Sequence, residues 1–550
     1  MSRTLAISPE TGLANAFIRR LQKQQATEQN SSSIAKSCKT TRRKSGKHGV
    51  VRKRGCITKA SADNTPGPTT QGVRQGDLQG KSVVVVGLGA SGKAAARLAL
   101  ARGAERVTAC DRREDMKPLQ DEEHFAGLDL ARLQVDLGPH NRATLANADL
   151  LIMSPGVNPV QTEIAAALEA GVPAISELAF AAEALPSSMP MAAITGTNGK
   201  STVTTFTGQI LREAGKRPFL GGNLGTPLSV AALECLAFPP DDPPYQAAIV
   251  EVSSYQLQFP GSLNPKVGVV LNLTPDHLER HGNMEAYGAA KCALFRNMSS
   301  SQIAAIPQGD SFLRRLAIES NSDGLRAWLG ALPGVQLDSS CRRAIVAVPG
   351  GGPEALLDLS VLRCLGAHNA HNAGTAALLA LSLGLGLTQD DVQRALPTLQ
   401  PPPHRMEIVI EDSEGVLWID DSKATNVEAS MVGIRGVQGR KAVVLLGGRA
   451  KVDQPGMPFG FDRLKTALAG HRAVIAFGEH GPEIAAELAD SGVGLPVHTL
   501  PKLKDAVERA SLIAQRGDAV LLSPGCASFD EFTDFMHRGR AFSELVRQRH

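Results

Sequence analysis

Lys200 and Ser201 sit near the end of a run, Gly196-Thr197-Asn198-Gly199-Lys200-Ser201-Thr202, that follows an apolar lead-in from Ala192 and precedes Val-Thr-Thr-Phe. A glycine-rich turn between a strand and a helix aims consecutive backbone N–H groups and the positive helix end at one point, which suits nucleotide phosphates. A lysine there reaches the terminal phosphates, and the hydroxyl after it ligates Mg²⁺. Ile194 stands where the full phosphate-loop pattern has its first glycine, so the run is a shortened form, and it predicts ATP as a ligand. Glu251 closes the apolar run Ala247–Val252, just before Ser253-Ser254, and a carboxylate so placed is a candidate Mg²⁺ ligand. Val267–Leu273 repeats the arrangement and leads to Asp276-His277, with Lys291 fourteen residues further on in an Ala-rich helix. Spacing alone gives neither His277 nor Lys291 a role.

A second glycine-rich turn, Gly87-Leu-Gly89-Ala-Ser91-Gly92, follows the apolar run Ser82–Val86 and opens a helix to about Arg102. Asp111 ends the next strand, Val107–Cys110, about where a ribose-binding acid sits in a dinucleotide fold. Taken alone this argues for NAD, although the same turn accepts any pyrophosphate. Ser154-Pro155-Gly156 ends the strand Leu150–Met153, and Gly221-Gly222-Asn223-Leu-Gly225 is too glycine-rich for an element interior and reads as backbone closing on a ligand.

The elements that must position these groups are βα units. In the last third, strands Val416–Ile419, Ala442–Leu446, Ala473–Phe477 and Ala519–Leu522 alternate with helical stretches. Polar clusters end three of them: Asp420 to Asn426, Gly447 to Lys451, and Ser523 to Asp530. Pro401-Pro-Pro-His404-Arg405 is a stiff linker before this module, because consecutive prolines extend the chain and stop helices.

Net charge is +4, but residues 1–60 hold 14 Lys/Arg against only Glu10 and Glu28, leaving 44 basic and 52 acidic groups in the remainder. The body of the chain is therefore acidic, and a nucleic-acid-binding body is not indicated. The basic, Ser/Thr-rich extension lacks a secretory apolar core and reads as an organellar transit peptide, with Thr11–Ala26 as a basic amphipathic helix. The rival reading is a nucleic-acid-binding arm. Eight cysteines without C-x-x-C spacing suggest neither a disulfide scaffold nor a zinc site. No apolar run reaches the ~20 residues that span a bilayer.

GTNGKST, GGNLG, EVSSYQL, LTPDHLERHG with Lys291, GAHNAHN, PHR, DDSKATN, GGRAK and SPGCASFDEF resemble, in order and spacing, the Mur ligases over about residues 80 to 545. DDSKATN and SPGCASFDEF are most similar to the branch that adds D-glutamate. The resemblance implies an α/β fold of three domains after a transit-like extension (1–60) and a linker (61–79). These are a Rossmann-like domain for UDP (80–188), a central P-loop mononucleotide-binding ATPase domain (189–402) and a Rossmann-like C-terminal domain for the amino acid (403–550).

It also implies the reaction: ATP phosphorylates the carboxylate of UDP-N-acetylmuramoyl-L-alanine, and the amine of D-glutamate attacks the acyl phosphate. By resemblance Lys200, His277 and Lys291 are catalytic. Gly196, Asn198, Gly199, Lys200, Ser201, Thr202, Asn369, Asn372, Arg405 and Asp421 bind ATP, while Ser201, Glu251, His277 and Lys291 serve Mg²⁺, Lys291 as a carbamate. Ser91, Asp111, Arg112, Gly156, Asn223, Ser253 and His277 meet the UDP-sugar; Lys423, Thr425, Lys451, Ser528 and Phe535 hold D-glutamate. The implied partners are these small molecules, with no nucleic acid and no membrane span, and the chain is expected to be a monomer. A transit peptide on such an enzyme implies a chloroplast or plastid stroma, and without one the cytoplasm. The insert Pro239–Pro244 and the weakly patterned stretch 299–352 carry no part of the reaction. The alternatives are another Mur or folylpolyglutamate-type ligase with a different amino acid, a nicotinamide-dependent oxidoreductase and a catalytically dead scaffold.

Overall fold

Each of three consecutive segments builds its own sheet in the computed structural model, which describes residues 77–549 apart from 126–127, 224, 240–241, 321–322, 438 and 451–457. The expected transit extension, its helix at Thr11–Ala26 and Lys451 lie outside the described residues.

The first sheet contains β1 (Ser82–Val86), β2 (Arg106–Asp111), β3 (Leu133–Leu137), β4 (Leu150–Met153) and β5 (Ala174–Ser176) in the order 3-2-1-4-5, all parallel. Strand order reverses between β1 and β4, and the crevice beyond their carboxyl ends is where such sheets bind ligands. The Gly87–Gly92 and Ser154–Gly156 turns both emerge there.

The second sheet runs β6 (Met191–Thr195), β7 (Pro218–Gly222), β8 (Ala247–Glu251), β9 (Val267–Val270), β10 (Ile303–Pro307), β11 (Leu325–Leu329), β12 (Gly334–Leu337), β13 (Arg343–Ala347) and β14 (Glu354–Asp358). Their spatial order is 14-13-12-11-10-9-6-8-7, parallel except where β12, β13 and β14 pair antiparallel. The stretch 299–352 thus supplies β10 to β13. Val335, Ala344 and Val346 on these strands pack under the helix Ala367–Ser382, and a Cβ at Gly374 of that helix would lie 2.8 Å from Val335 Cγ2. Close helix-to-sheet packing therefore requires the glycine. Gly221 and Gly222 are the last residues of β7 rather than a ligand loop; a Cβ at Gly221 would meet Thr226 O at 2.2 Å and one at Gly222 the Glu251 carbonyl at 2.5 Å. Their close approach is to backbone of their own domain.

The third sheet holds β15 (Glu407–Glu411), β16 (Leu417–Asp420), β17 (Ala442–Gly447), β18 (Ala473–Phe477), β19 (Val497–Leu500) and β20 (Ala519–Gly525), ordered 15-16-20-17-18-19. Only the β15–β16 pair is antiparallel. Both faces of this sheet are covered by apolar clusters, one around Ile419, Val444 and Phe461 and one around Trp418, Phe477 and Phe542. Parallel strands buried on two faces read as continuous apolar runs, which is why these strands were legible.

One apolar cluster runs without a break from Val83 and Phe180 of the first segment to Phe219, Val250 and Phe295 of the second. Fully burying a side chain such as Phe180 contributes about 1.5–3 kcal/mol, so the first two segments are held together by core rather than by polar contacts alone. Among the described residues no helix is long and apolar enough to cross a membrane.

Candidate active site

β6 delivers Thr195 to the phosphate-type loop, where Gly196 (φ 144°) and Gly199 (φ 88°) adopt backbone that L side chains resist. Gly199 caps the helix Lys200–Glu213. Asn272, beyond β9, fixes the loop: its Oδ1 accepts from Thr197 N (3.1 Å) and Asn198 N (2.9 Å), and its Nδ2 donates to Asn198 O (3.0 Å). Lys200 folds back over the loop and donates to Gly196 O (2.9 Å) and Thr197 O (2.8 Å).

Lys291 comes from the helix Met284–Cys292, is 2% exposed, and donates to Gly196 O at 2.9 Å with its ammonium 4.5 Å from the Tyr287 ring centroid. Burial and the nearby Lys200 charge push its pKa well below the ordinary lysine value. A neutral amine is what carbamylation requires. Glu251, at the end of β8, is 3% exposed. Its Oε1 accepts from Asn223 Nδ2 at 2.9 Å, while Oε2 makes no hydrogen bond. Burial opposes its charge, but the Lys200 and Lys423 charges, together with the Ser201 and Asn223 side chains, outweigh burial and hold its pKa below the usual carboxylate value.

His277 sits in left-handed backbone (φ 57°) and shares a 2.9 Å hydrogen bond between Nδ1 and the Tyr255 hydroxyl. Asp276 and Glu279 lie 3.7 and 3.5 Å from the ring nitrogens. Ser253, by contrast, is turned onto Gln256, whose Oε1 accepts from Ser253 N and Oγ, both at 2.9 Å.

The third segment closes onto this loop. Lys423 Nζ donates to Ser201 Oγ at 3.2 Å, Arg405 Nη2 approaches the same oxygen at 3.4 Å, and Asn426 Nδ2 donates to Asp276 Oδ2 at 3.3 Å. Lys423 also lies 4.8 Å from the centre of the Phe535 ring, and burial with the Arg405 charge pushes its pKa down to about 8. Asp421 is pushed up to about 7 by burial, although the Ser523 hydroxyl donates to its Oδ2 at 2.7 Å. Ser528, 2% exposed, follows β20 as Thr425 follows the parallel β16, so both leave the same edge of the sheet, and Ser422 Oγ donates to Phe535 O at 2.9 Å beside them.

A cleft of roughly 670 Å³, measured with its open mouth, separates the loop from the third segment. Of the expected ATP contacts it brings together Asn198, Gly199, Thr202, Asn369, Asn372, Arg405 and Asp421. Asn369 is set by its own donation to Leu365 O at 2.7 Å, and Asn372 donates to Asn369 Oδ1 at 3.1 Å. His368 and Met406 also line the cleft and were not foreseen.

In the first segment a Cβ at Gly92 would lie 1.7 Å from Gly87 O, so the helix Ala90–Ala101 can approach the turn only with glycine there. Ser154 Oγ donates to Gly87 O at 2.7 Å and ties the two turns together. Asp111 does not present a free carboxylate to a ribose. Its Oδ2 accepts from Leu88 N (2.7 Å) and Arg113 Nη2 (3.0 Å), and its Oδ1 from Arg113 N (3.0 Å) and Nε (3.1 Å). Despite partial burial, these bonds hold its pKa at about 2. Ser91 is half-buried, and Arg112 and Gly156 are exposed at the same edge.

Sequence reasoning also missed Arg538. Its guanidinium, fully buried, donates to Ser422 Oγ (3.0 Å), Ser422 O (2.8 Å) and Cys526 O (3.0 Å), with Gly447 O and Ala527 O each at 3.4 Å. It thereby fastens the loops after β16, β17 and β20. Backbone acceptors scattered along a chain leave no motif, so no local signal marks such a residue.

Family models match in order along the chain: Mur ligase MurD-like, N-terminal domain, at residues 81–176; Mur ligase middle domain at 194–380; and Mur ligase, glutamate ligase domain, at 404–526. The chain is 38% identical to the UDP-N-acetylmuramoylalanine--D-glutamate ligase of Anaeromyxobacter dehalogenans, over 86% of this chain and 98% of that one. It is 38% identical to the enzyme of the same name from Myxococcus xanthus, over 85% and 98%. Among solved structures, MurC of Thermotoga maritima (TM-score 0.51, 20% identity, 86% of this chain and 100% of that one) shares the fold. So does MurF of the same organism, solved with ADP (TM-score 0.52, 17% identity, 87% and 98%). With three family domains in order and near full-length relatives, the chain belongs to the Mur ligase family.

Proposed function

We propose that this chain is an ATP-dependent amide ligase that adds D-glutamate to UDP-N-acetylmuramoyl-L-alanine in peptidoglycan precursor synthesis, releasing ADP and phosphate. Its relatives carry that activity in their names over nearly their whole length. The observation that carries the reading is the meeting of Lys423 and Arg405 with Ser201 Oγ, because it seats the amino-acid-binding segment on the phosphate loop. Residues 80–188 receive the uridine nucleotide, 189–402 ATP, and 403–550 D-glutamate.

The chemistry brings two anions together, so neutralising charge and fixing geometry are the main tasks. The alanyl carboxylate attacks the γ-phosphorus of ATP, giving an acyl phosphate and ADP. The D-glutamate amine then adds to the acyl carbon, and the tetrahedral adduct expels phosphate. Lys200, which here donates to Gly196 O and Thr197 O, would exchange those carbonyls for the γ-phosphate when ATP binds. Lys423, besides its expected part in holding D-glutamate, and Arg405 both lie at Ser201 Oγ and counter the charge that builds on the transferred phosphoryl group. Asn369, Asn372 and Asp421 hold the adenosine in the cleft; Thr425, Ser528, Phe535 and Lys451 complete the D-glutamate site.

The residues present fit Mg²⁺: Glu251 keeps an ionised carboxylate whose Oε2 lacks a hydrogen bond, next to the Ser201 hydroxyl at the loop. Ser201 and Glu251 would hold one ion, and His277 with a carbamylated Lys291 a second. Bound Mg²⁺ would supply charge neutralisation on the phosphate oxygens. A nicotinamide reading is disfavoured because it leaves the phosphate loop and the third segment's Lys423 beside it without a use.

The basic extension precedes the first family match at residue 81, and its Ser/Thr-rich, acid-poor composition is what favours a transit peptide; the plastid follows only from the chemistry of the reaction. Import of a reporter carrying residues 1–60 into isolated plastids checks it. Phosphate release with ATP, Mg²⁺ and UDP-N-acetylmuramoyl-L-alanine, compared across D-glutamate, L-glutamate, L-lysine and diaminopimelate, tests the activity. Release with D-glutamate alone is expected, and release with another amino acid instead would move the chain to a different branch.

A further inference from the structure

Arg280 belongs to none of the groups assigned above, yet it touches both the nucleotide-sugar turn and the reaction centre. It lies in the short helix Leu278–His281, three residues after His277. Its Nη2 donates to Val157 O of the first segment at 2.7 Å and to Gln258 Oε1 at 2.7 Å, and its Nε donates to the same Gln258 oxygen at 3.1 Å. The guanidinium carbon lies over the Tyr255 ring, 4.8 Å from its centre, and the Tyr255 hydroxyl shares a 2.9 Å hydrogen bond with His277 Nδ1.

Val157 is no ordinary surface residue. A Cβ at Gly87 would lie 2.6 Å from Val157 Cγ2, so the valine packs on the glycine turn, and Val157 N donates to Ser154 O at 3.1 Å. Ser154 in turn holds Gly87 O. A continuous chain of contacts thus runs from the glycine turn through Ser154, Val157, Arg280 and Tyr255 to His277. Every link is a hydrogen bond or stacking contact with a preferred geometry. The rigid, forked guanidinium can bond a carbonyl and an amide oxygen while stacking on a ring, which a lysine ammonium cannot do.

We propose that Arg280 is a positioning residue that aligns the nucleotide-sugar turn of the first segment with His277, so that binding of the uridine diphosphate sets the acyl group against the phosphate loop. The inference rests on the function proposed above. Binding energy gathered far from the reacting atoms accelerates a reaction only when rigid contacts carry it to the reacting centre. Misplacement by about 1 Å costs on the order of 100-fold in rate.

The test is steady-state kinetics of Arg280→Met and Arg280→Lys in the full chain, each with UDP-N-acetylmuramoyl-L-alanine and with N-acetylmuramoyl-L-alanine lacking the nucleotide. In the unaltered chain the nucleotide should raise kcat as well as lower KM. Both variants should lose about 10- to 100-fold in kcat with the full substrate. They should keep the KM for ATP within about twofold and show nearly the same rate with either substrate. Lysine should not rescue, because the fork and not the charge is needed. Gln258→Leu, which keeps the arginine but frees it, should shift kcat in the same direction. Unchanged kcat in Arg280→Met, or a loss that scales equally with both substrates and with the folded fraction seen by circular dichroism, overturns the assignment. If the unaltered chain itself releases no phosphate with D-glutamate, the function reading fails; if it does and the variants match it, only the role of Arg280 fails.

Discussion

Lys423 Nζ of the third segment and Ser201 Oγ of the phosphate loop are 3.2 Å apart, although 222 positions separate them in the chain. The contact bridges the two segments beside the cleft, and it places an amine whose pKa is pushed down to about 8 next to the hydroxyl expected to hold Mg²⁺. The third segment therefore supplies part of the site at the phosphate loop, where excluding water favours the acyl transfer.

Removing the Lys423 cation should act on the transition state more than on binding. Lys423→Met is expected to lower kcat about 100- to 1000-fold, the range for losing one preorganised charge-stabilising group. The KM for ATP should change little. Initial rates of phosphate release check this, and a pure KM effect would assign Lys423 to ground-state binding.

Lys291→Ala should abolish turnover. If the lysine acts as a carbamate, acetate should restore part of the rate by supplying a carboxylate in the space left. Rescue measured against acetate concentration decides it; a variant that keeps full activity without acetate removes Lys291 from the mechanism.

The buried Glu177 gives a pH prediction independent of catalysis. It is 0% exposed between the first two segments, with Oε1 accepting from Ser229 N at 2.9 Å and Oε2 unpaired. Burial pushes its pKa from 4.5 up to about 7, against the pull of the Ser229 bond. Between those values the folded chain keeps a proton that the unfolded chain has lost, so stability falls as pH rises from about 4.5 to about 7. Glu177→Gln keeps the acceptor and removes the charge. It should be the more stable form above pH 7 by on the order of 2–3 kcal/mol, with a flatter pH profile below. Urea midpoints of both proteins from pH 5 to 8 test the sign.

Gly92→Ala should injure the first segment selectively. A Cβ 1.7 Å from Gly87 O cannot be accommodated without moving the turn. A loss of about 1–3 kcal/mol in stability is expected, with a raised KM for the UDP-sugar and an unchanged KM for D-glutamate. An unaltered UDP-sugar KM would show that the turn does not meet the nucleotide.

How much of this was legible before the structure depends on how each residue is used. Leu150–Met153 and Ala473–Phe477 were placed to the residue because strands buried on both faces are uninterrupted apolar runs. Glu251 and the glycine loop were readable because strand ends and turns have local signatures. The strands β12 to β14, at one end of the sheet, were not, since exposed polar residues such as Gln336, Arg343 and Glu354 interrupt the apolar signal. Asn272, Arg280 and Arg538 escaped notice for a different reason: each acts on backbone carbonyls or amides that only the fold brings near. Asp111's place at a strand end was legible, but its bonds to Leu88 N and Arg113, which only the fold brings together, were not.

The central claim is that ATP activates the alanyl carboxylate for attack by D-glutamate. The most direct test supplies UDP-N-acetylmuramoyl-L-alanine carrying ¹⁸O in that carboxylate, with ATP, Mg²⁺ and D-glutamate, and weighs the phosphate released. Acyl-phosphate chemistry predicts one ¹⁸O atom carried into phosphate and no release when D-glutamate is omitted or replaced by L-glutamate. Phosphate free of ¹⁸O would contradict it, because the carboxylate oxygen would then never have bonded to phosphorus.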